Sequence, residues 1–74
     1  MTRDVARLMG SAACAEMENL FLRGPTHDGK LISKSGRDEL VKRGYAERFE
    51  GFNFLTKAGV EVCFDTPMWR SKIR

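Results

Sequence analysis

Cysteine, proline and histidine are scarce here: two cysteines, two prolines and one histidine in 74 residues. Cys14 and Cys63 cannot form the dense disulfide framework of a small secreted domain, although a single bridge between them stays open. We expect both as reduced thiols serving as small apolar groups. One histidine and two distant cysteines give no ligand-spaced set for zinc, which takes three or four ligands. No metal and no cofactor are therefore expected. His27-Asp28-Gly29 reads as turn chemistry, because a catalytic histidine needs a nucleophile and an orienting group. No phosphate-binding glycine motif and no paired-carboxylate arrangement stands out, so an enzyme is not expected. Long apolar runs are also missing, and nothing approaches the roughly 20 residues of a membrane span. Asp4, Arg7 and Gly10 interrupt any signal-peptide pattern near the start. The expectation is a cytoplasmic protein with no membrane partner.

What is present is a chain sized for one domain with a small core. With no disulfide or metal staple, a homodimer or a bound partner becomes a source of added stability. The net charge is +3 and its spread is uneven. Residues 24–44 hold five cations against three acids, and residues 65–74 hold three against one. Residues 1–23 balance, and residues 45–64 are net acidic. The excess on the centre and the tail fits a polyanion partner.

Residues 2–22 are helical by pattern, with Val5, Leu8, Met9, Ala13, Met17, Leu20 and Phe21 at three- and four-residue steps. Thr2 is an N-cap candidate. Gly10-Ser11 predicts a boundary between two helices. Gly24 then ends the helical run and Pro25 prevents its continuation. Lys30-Leu31-Ile32 reads as a short strand whose partner would be the later hairpin. Ser35 is read as the N-cap of a helix reaching Arg43, with Asp38 three residues on in a capping-box position. Lys42 and Arg43 complement the negative helix end, and Gly44 closes it. Residues 45–49 and 52–56 flank Glu50-Gly51 as a hairpin, with Tyr45, Glu47 and Phe49 on one face and Ala46 and Arg48 on the other. Tyr45, Phe49, Phe52 and Phe54 are expected mostly in the core, since so small a chain has few other large apolar groups. Thr56 N-caps a helix over 57–64 that turns Val60, Cys63 and Phe64 inward.

The phrase Leu40-Val41-Lys42-Arg43-Gly44-Tyr45-Ala46-Glu47-Arg48, followed by Gly51 and Leu55-Thr56-Lys57-Ala58-Gly59, resembles winged helix-turn-helix domains. It is similar to the end of a recognition helix, a wing and the helix after it. In that family the recognition helix enters the major groove and the wing touches backbone or minor groove. The likeness covers residues 31–59. It implies an α+β winged-helix-like domain over 1–67: N-terminal helices, a short capped helix, a β-hairpin wing and a C-terminal helix. Residues 68–74 would be a basic tail. The pattern departs from the family in two places. The space just before the recognition helix holds only the loop over 24–33, so either the preceding helix is missing or the segment before the loop supplies it through a long connector in place of a tight turn; and Asp38 and Glu39 sit early on the reading helix. The pattern also resembles short proteins encoded in bacteriophages and prophages, many of which lack an assigned role; with the winged-helix likeness it implies a small DNA-binding regulatory protein in a bacterial host cell.

On this likeness the DNA-binding candidates are Lys30, Lys34, Ser35, Arg37, Lys42, Arg43 and Arg48. Arg37 and Lys34 would read bases or backbone near the helix start, and Ser35 would hold a phosphate. The same charges also suit an ordinary solvated helix face. The alternative is a protein–protein interaction module that modulates a host protein, with Trp69 and Arg70 as partner contacts. Trp69 is expected to dock on the chain's own core or on a second subunit.

Overall fold

The computed structural model describes residues 9–72. Among them are four α-helices and a three-stranded antiparallel sheet, an α+β architecture. Helix α1 is Ser11–Arg23, strand β1 is Thr26–His27, and a 3-10 turn follows at Asp28–Lys30. Helix α2 is Lys34–Lys42, strands β2 and β3 are Ala46–Phe49 and Phe52–Leu55, helix α3 is Lys57–Asp65 and helix α4 is Pro67–Arg70. No helix among the described residues is long and apolar enough to cross a membrane.

Helix α1 begins where the Gly10-Ser11 signal places a boundary, with Gly10 as its N-cap. The Thr2 cap lies outside the described residues. Gly24 ends α1 at φ +86°, donating its N–H to the Leu20 carbonyl at 3.0 Å. The buried side of α1 carries Ala13, Met17 and Leu20 at helical spacing, but also Glu16 and Asn19. The Glu16 carboxylate accepts from the Ser33 N–H at 2.8 Å and from Asn19 Nδ2 at 2.8 Å. Both of its oxygens are thus satisfied inside the protein, which burial requires.

That contact also fixes where α2 starts. The cap is Ser33, whose Oγ accepts from the Gly36 N–H at 3.0 Å, and not Ser35. Ser35 is the second helical residue, and its hydroxyl lies 3.1 Å from that of Ser33. Asp38 closes no capping box; it accepts from Arg37 Nε at 2.7 Å. The earlier start puts Gly36 against α1. A Cβ there would meet the Ala12 carbonyl oxygen at 2.4 Å, so only glycine lets the two backbones approach this closely.

The strand expected at Lys30-Leu31-Ile32 lies earlier. Thr26–His27 pairs with β3 instead, Thr26 opposite Asn53 and His27 opposite Phe52. Lys30 closes the 3-10 turn, Leu31 is extended, and Ile32 forms a bend in the linker. The hairpin forms as read, with Phe49 opposite Phe52 and a two-residue turn in which Glu50 and Gly51 have φ of +54° and +81°. Positive φ at both central residues is the turn that matches strand twist. The sheet order is β1-β3-β2.

Register sends the aromatics away from the core. Ala46 and Asn53 occupy the inner face of the hairpin, and Asn53 is fully buried. Phe49 and Phe52 are 68% and 47% exposed, contrary to the expectation of core packing. Tyr45 and Phe54 are half-buried. Thr56 caps α3 as read, accepting from the Gly59 N–H at 3.1 Å. Cys63 faces inward, while Val60 is half-buried and Phe64 is exposed, resting edge-on against Phe21 at 5.5 Å.

Met9, Ala13, Met17, Leu20, Leu40, Ala46, Cys63 and Trp69 form the core. Trp69 is its largest member and is fully buried. Its indole N–H donates to Glu18 Oε1 at 3.2 Å, and Lys72 Nζ donates to Glu18 Oε2 at 2.8 Å. Burying an aromatic of this size removes roughly 150–250 Å² from water, a large share for so small a core.

Two substitutions test this packing by urea denaturation. Gly36→Ala forces α1 and α2 apart and should cost about 1–3 kcal/mol, the usual range for overpacking. Glu50→Asn should stabilise by up to about 1 kcal/mol, because asparagine tolerates the left-handed region better than glutamate.

Candidate functional site

The sequence-predicted cations do not converge on one surface; the structure draws two of them inward to Asp28. Asp28 opens the 3-10 turn after β1, and its N–H donates to the Gly51 carbonyl at 2.9 Å. This bond sets the carboxylate beside the hairpin. Oδ1 accepts from Arg37 Nη1 at 3.2 Å, Arg48 Nε at 3.0 Å and Asn53 Nδ2 at 2.8 Å. Oδ2 accepts from Arg48 Nε at 2.9 Å and from Arg48 Nη2. Arg37 Nη1 donates to Asn53 Oδ1 at 2.8 Å, and Asn53 Nδ2 also reaches the Thr26 carbonyl at 3.0 Å. One carboxylate therefore joins β1, α2, β2 and β3.

Electrostatics follow from this geometry. Hydrogen bonds from Arg48 and then Asn53, with the charges of Arg48 and Arg37, hold the Asp28 carboxyl well below the usual carboxylate range. Asp28 in turn raises Arg48. Glu18 is also lowered, chiefly by its hydrogen bond from Lys72. Burial pushes the Cys63 thiol up to about 12, which leaves it protonated and unreactive at neutral pH. Cys14 is raised by burial and by Glu39, and no disulfide joins the two cysteines. His27 serves the turn, its Nδ1 accepting from the Gly29 N–H at 3.1 Å, and its ring meets Phe52 edge-on. Among the described residues no three His, Cys, Asp or Glu side chains converge to hold a metal ion.

The remaining candidates separate by element. Lys34 and Lys42 are exposed on α2, with Asp38 between them at four-residue steps, so the three form one outer ridge. Arg43 Nε donates to Glu39 Oε2 at 3.0 Å, an ordinary helical pair. Ser35 is exposed beside Lys34. Lys30 lies at the end of the 3-10 turn and faces a cleft against α1. Arg70 is exposed, but Trp69 is enclosed by the chain itself and cannot serve as a surface anchor. Between α1 and α2, residues 24–33 hold β1 and the 3-10 turn and no α-helix.

Asp28 and Asn53 are the residues that sequence reasoning missed. Asp28 carries the signature of a turn, which it also is. The usable signal was Asn53, a polar side chain on the hairpin face shared with Ala46, where an unpaired amide could not be buried.

The Asp28 shift has a definite pH sign. Its folded pKa is lowered, so the unfolded chain binds the proton more readily. The stabilising contribution is complete above about pH 4, the ordinary carboxylate value, and is lost progressively as pH falls below it. Urea denaturation between neutral and strongly acidic pH should therefore show wild type losing stability more steeply than Asp28→Asn. Parallel curves would remove the ion-pair account; the Glu18 contribution is common to both proteins and cancels. Comparison of this chain with family models, with curated proteins and with solved structures finds no match.

Proposed function

We propose that the protein is a winged-helix-like regulatory module, of the kind phages and prophages encode, that binds duplex DNA through α2. The observation that carries this reading is topological. Helix α2 runs directly into the β2–β3 hairpin, and the sheet order β1-β3-β2 supports reading the hairpin as a wing. Lys34 and Lys42 lie on the open ridge of α2, with Ser35 next to Lys34 at the helix start. Asp38 opposes them, and its pairing with Arg37 reduces that opposition. Arg37 and Arg48 act on this reading as positioning residues: they hold the wing to α2 through Asp28 and do not read bases.

A second reading is favoured by a different observation. Phe49 and Phe52 stand as an exposed cross-strand pair at the tip of the hairpin, next to the acids Glu47 and Glu50. Acids repel phosphate and an apolar pair suits a protein surface, so the hairpin tip fits a partner protein better than a duplex.

Salt titration of duplex binding separates the two. Affinity should fall steeply with salt, and Lys34→Ala and Lys42→Ala should each reduce the log–log slope by about 0.9, the value for one lost phosphate contact. Phe49→Ser should leave that slope unchanged. Absence of duplex binding at low salt would discard α2 as a DNA reader. Loss of a nuclease-resistant partner on Phe49→Ser would then support the protein-binding reading.

A further inference from the structure

A cleft of about 370 Å³ lies between α1 and the linker before α2, lined by Ala15, Glu18, Asn19, Leu22, Arg23, Lys30 and Ile32. Its size is at the small end for ligand clefts. It lies off the α2 ridge and is not built around the Asp28 network.

Three features give the cleft a chemistry. First, its apolar lip is open: Leu22 is 43% exposed and Ile32 is 61% exposed. Second, its charge is positive. Arg23 and Lys30 are exposed and make no ion pair among the described residues, whereas the carboxylate of Glu18 is already taken by Lys72 and the Trp69 indole. Third, Asn19 lines the cleft and carries an acceptor. Its Nδ2 is held by the Glu16 carboxylate, which can only accept, so the amide orientation is determined. The Oδ1 of this nearly buried side chain has no partner among the described residues. A buried amide oxygen without a donor is uncommon in a folded protein.

We infer that this cleft binds a short peptide segment of a protein partner in which an aliphatic side chain is flanked by carboxylates. The aliphatic group packs between Leu22 and Ile32. The flanking carboxylates meet Arg23 and Lys30, and a backbone N–H of the segment donates to Asn19 Oδ1. Phosphate alone satisfies the two cations and leaves the apolar lip uncovered. A neutral apolar peptide covers the lip and leaves the cations unused. The inference goes beyond the duplex reading and assigns Lys30 to a peptide contact in place of a phosphate contact.

The test is a nuclear magnetic resonance titration of the full ¹⁵N-labelled chain with the peptide acetyl-Asp-Leu-Asp-amide. Two controls accompany it: acetyl-Asn-Leu-Asn-amide keeps the side chain without the charges, and acetyl-Asp-Gly-Asp-amide keeps the charges without the side chain. Saturable shifts of the Ala15, Asn19, Leu22 and Ile32 amides are expected with the first peptide. Each control should bind at least about tenfold more weakly. Arg23→Glu and Ile32→Ser change exposed side chains, should retain the folded spectrum, and should weaken the first peptide by a similar factor. Should either variant lose its folded spectrum, Lys30→Glu replaces it. No localised shifts, or equal binding of either control, would overturn the assignment. Because duplex binding is read by a separate titration at the α2 ridge, failure of one result leaves the other standing.

Discussion

The Asp28 carboxylate is the constraint on which the geometry of this protein depends. A chain this short has too little apolar surface to position a hairpin, a helix and a two-residue strand by packing alone. Asp28 does so with charge-assisted hydrogen bonds from Arg37, Arg48 and Asn53. Such bonds are directional and stronger than neutral ones. The network must also be complete to be useful, because a partly satisfied polar cluster costs more than an apolar one. Its completeness is visible in Asn53, whose amide nitrogen and oxygen are both used although the side chain is fully buried.

Glu16 repeats the device on the other side of α2. There a buried carboxylate takes the Ser33 N–H and Asn19, and thereby sets the point where the linker turns into the helix. Two acids thus replace the staples that domains of this size often use. They also explain the charge pattern. The cationic excess of residues 24–44 does not form one free basic surface, because Arg37 is spent on Asp28 and Asp38, and Arg43 pairs with Glu39. Among the features left outward are the Lys34–Lys42 ridge of α2, the Phe49–Phe52 tip and the Arg23–Lys30 cleft.

Elements whose signals are local were legible from sequence. Gly24, Gly44, Gly51 and Thr56 end or begin elements through their own backbone freedom or cap chemistry, and each is found where it was read. The choice between Ser33 and Ser35 was not local. Both are good caps, and the decision rests on Gly36 pressing against Ala12 and on Glu16 from another helix. The two-residue strand β1 carries no pattern of its own; it exists because β3 offers Thr26 and His27 a partner. Aromatic side chains on a hairpin suggested a core, yet alternation alone does not say which face is inside. Asn53 on the opposite face held that answer, once its amide is seen to require buried partners. Asp28, the centre of the candidate site, was indistinguishable from an ordinary turn residue.

The seat of Trp69 has a consequence for the order of events during synthesis. Its indole closes a core whose other members begin at Met9, and its hydrogen bond to Glu18 spans 51 residues. Domains generally organise from the N-terminal side as the chain emerges from the ribosome. Here α1 shares a core cluster with a side chain that is made 51 residues after Glu18. Until residue 69 has cleared the exit tunnel, the cluster that Met17 and Leu20 of α1 belong to lacks its largest side chain, and the core cannot close around α1 and α2 alone.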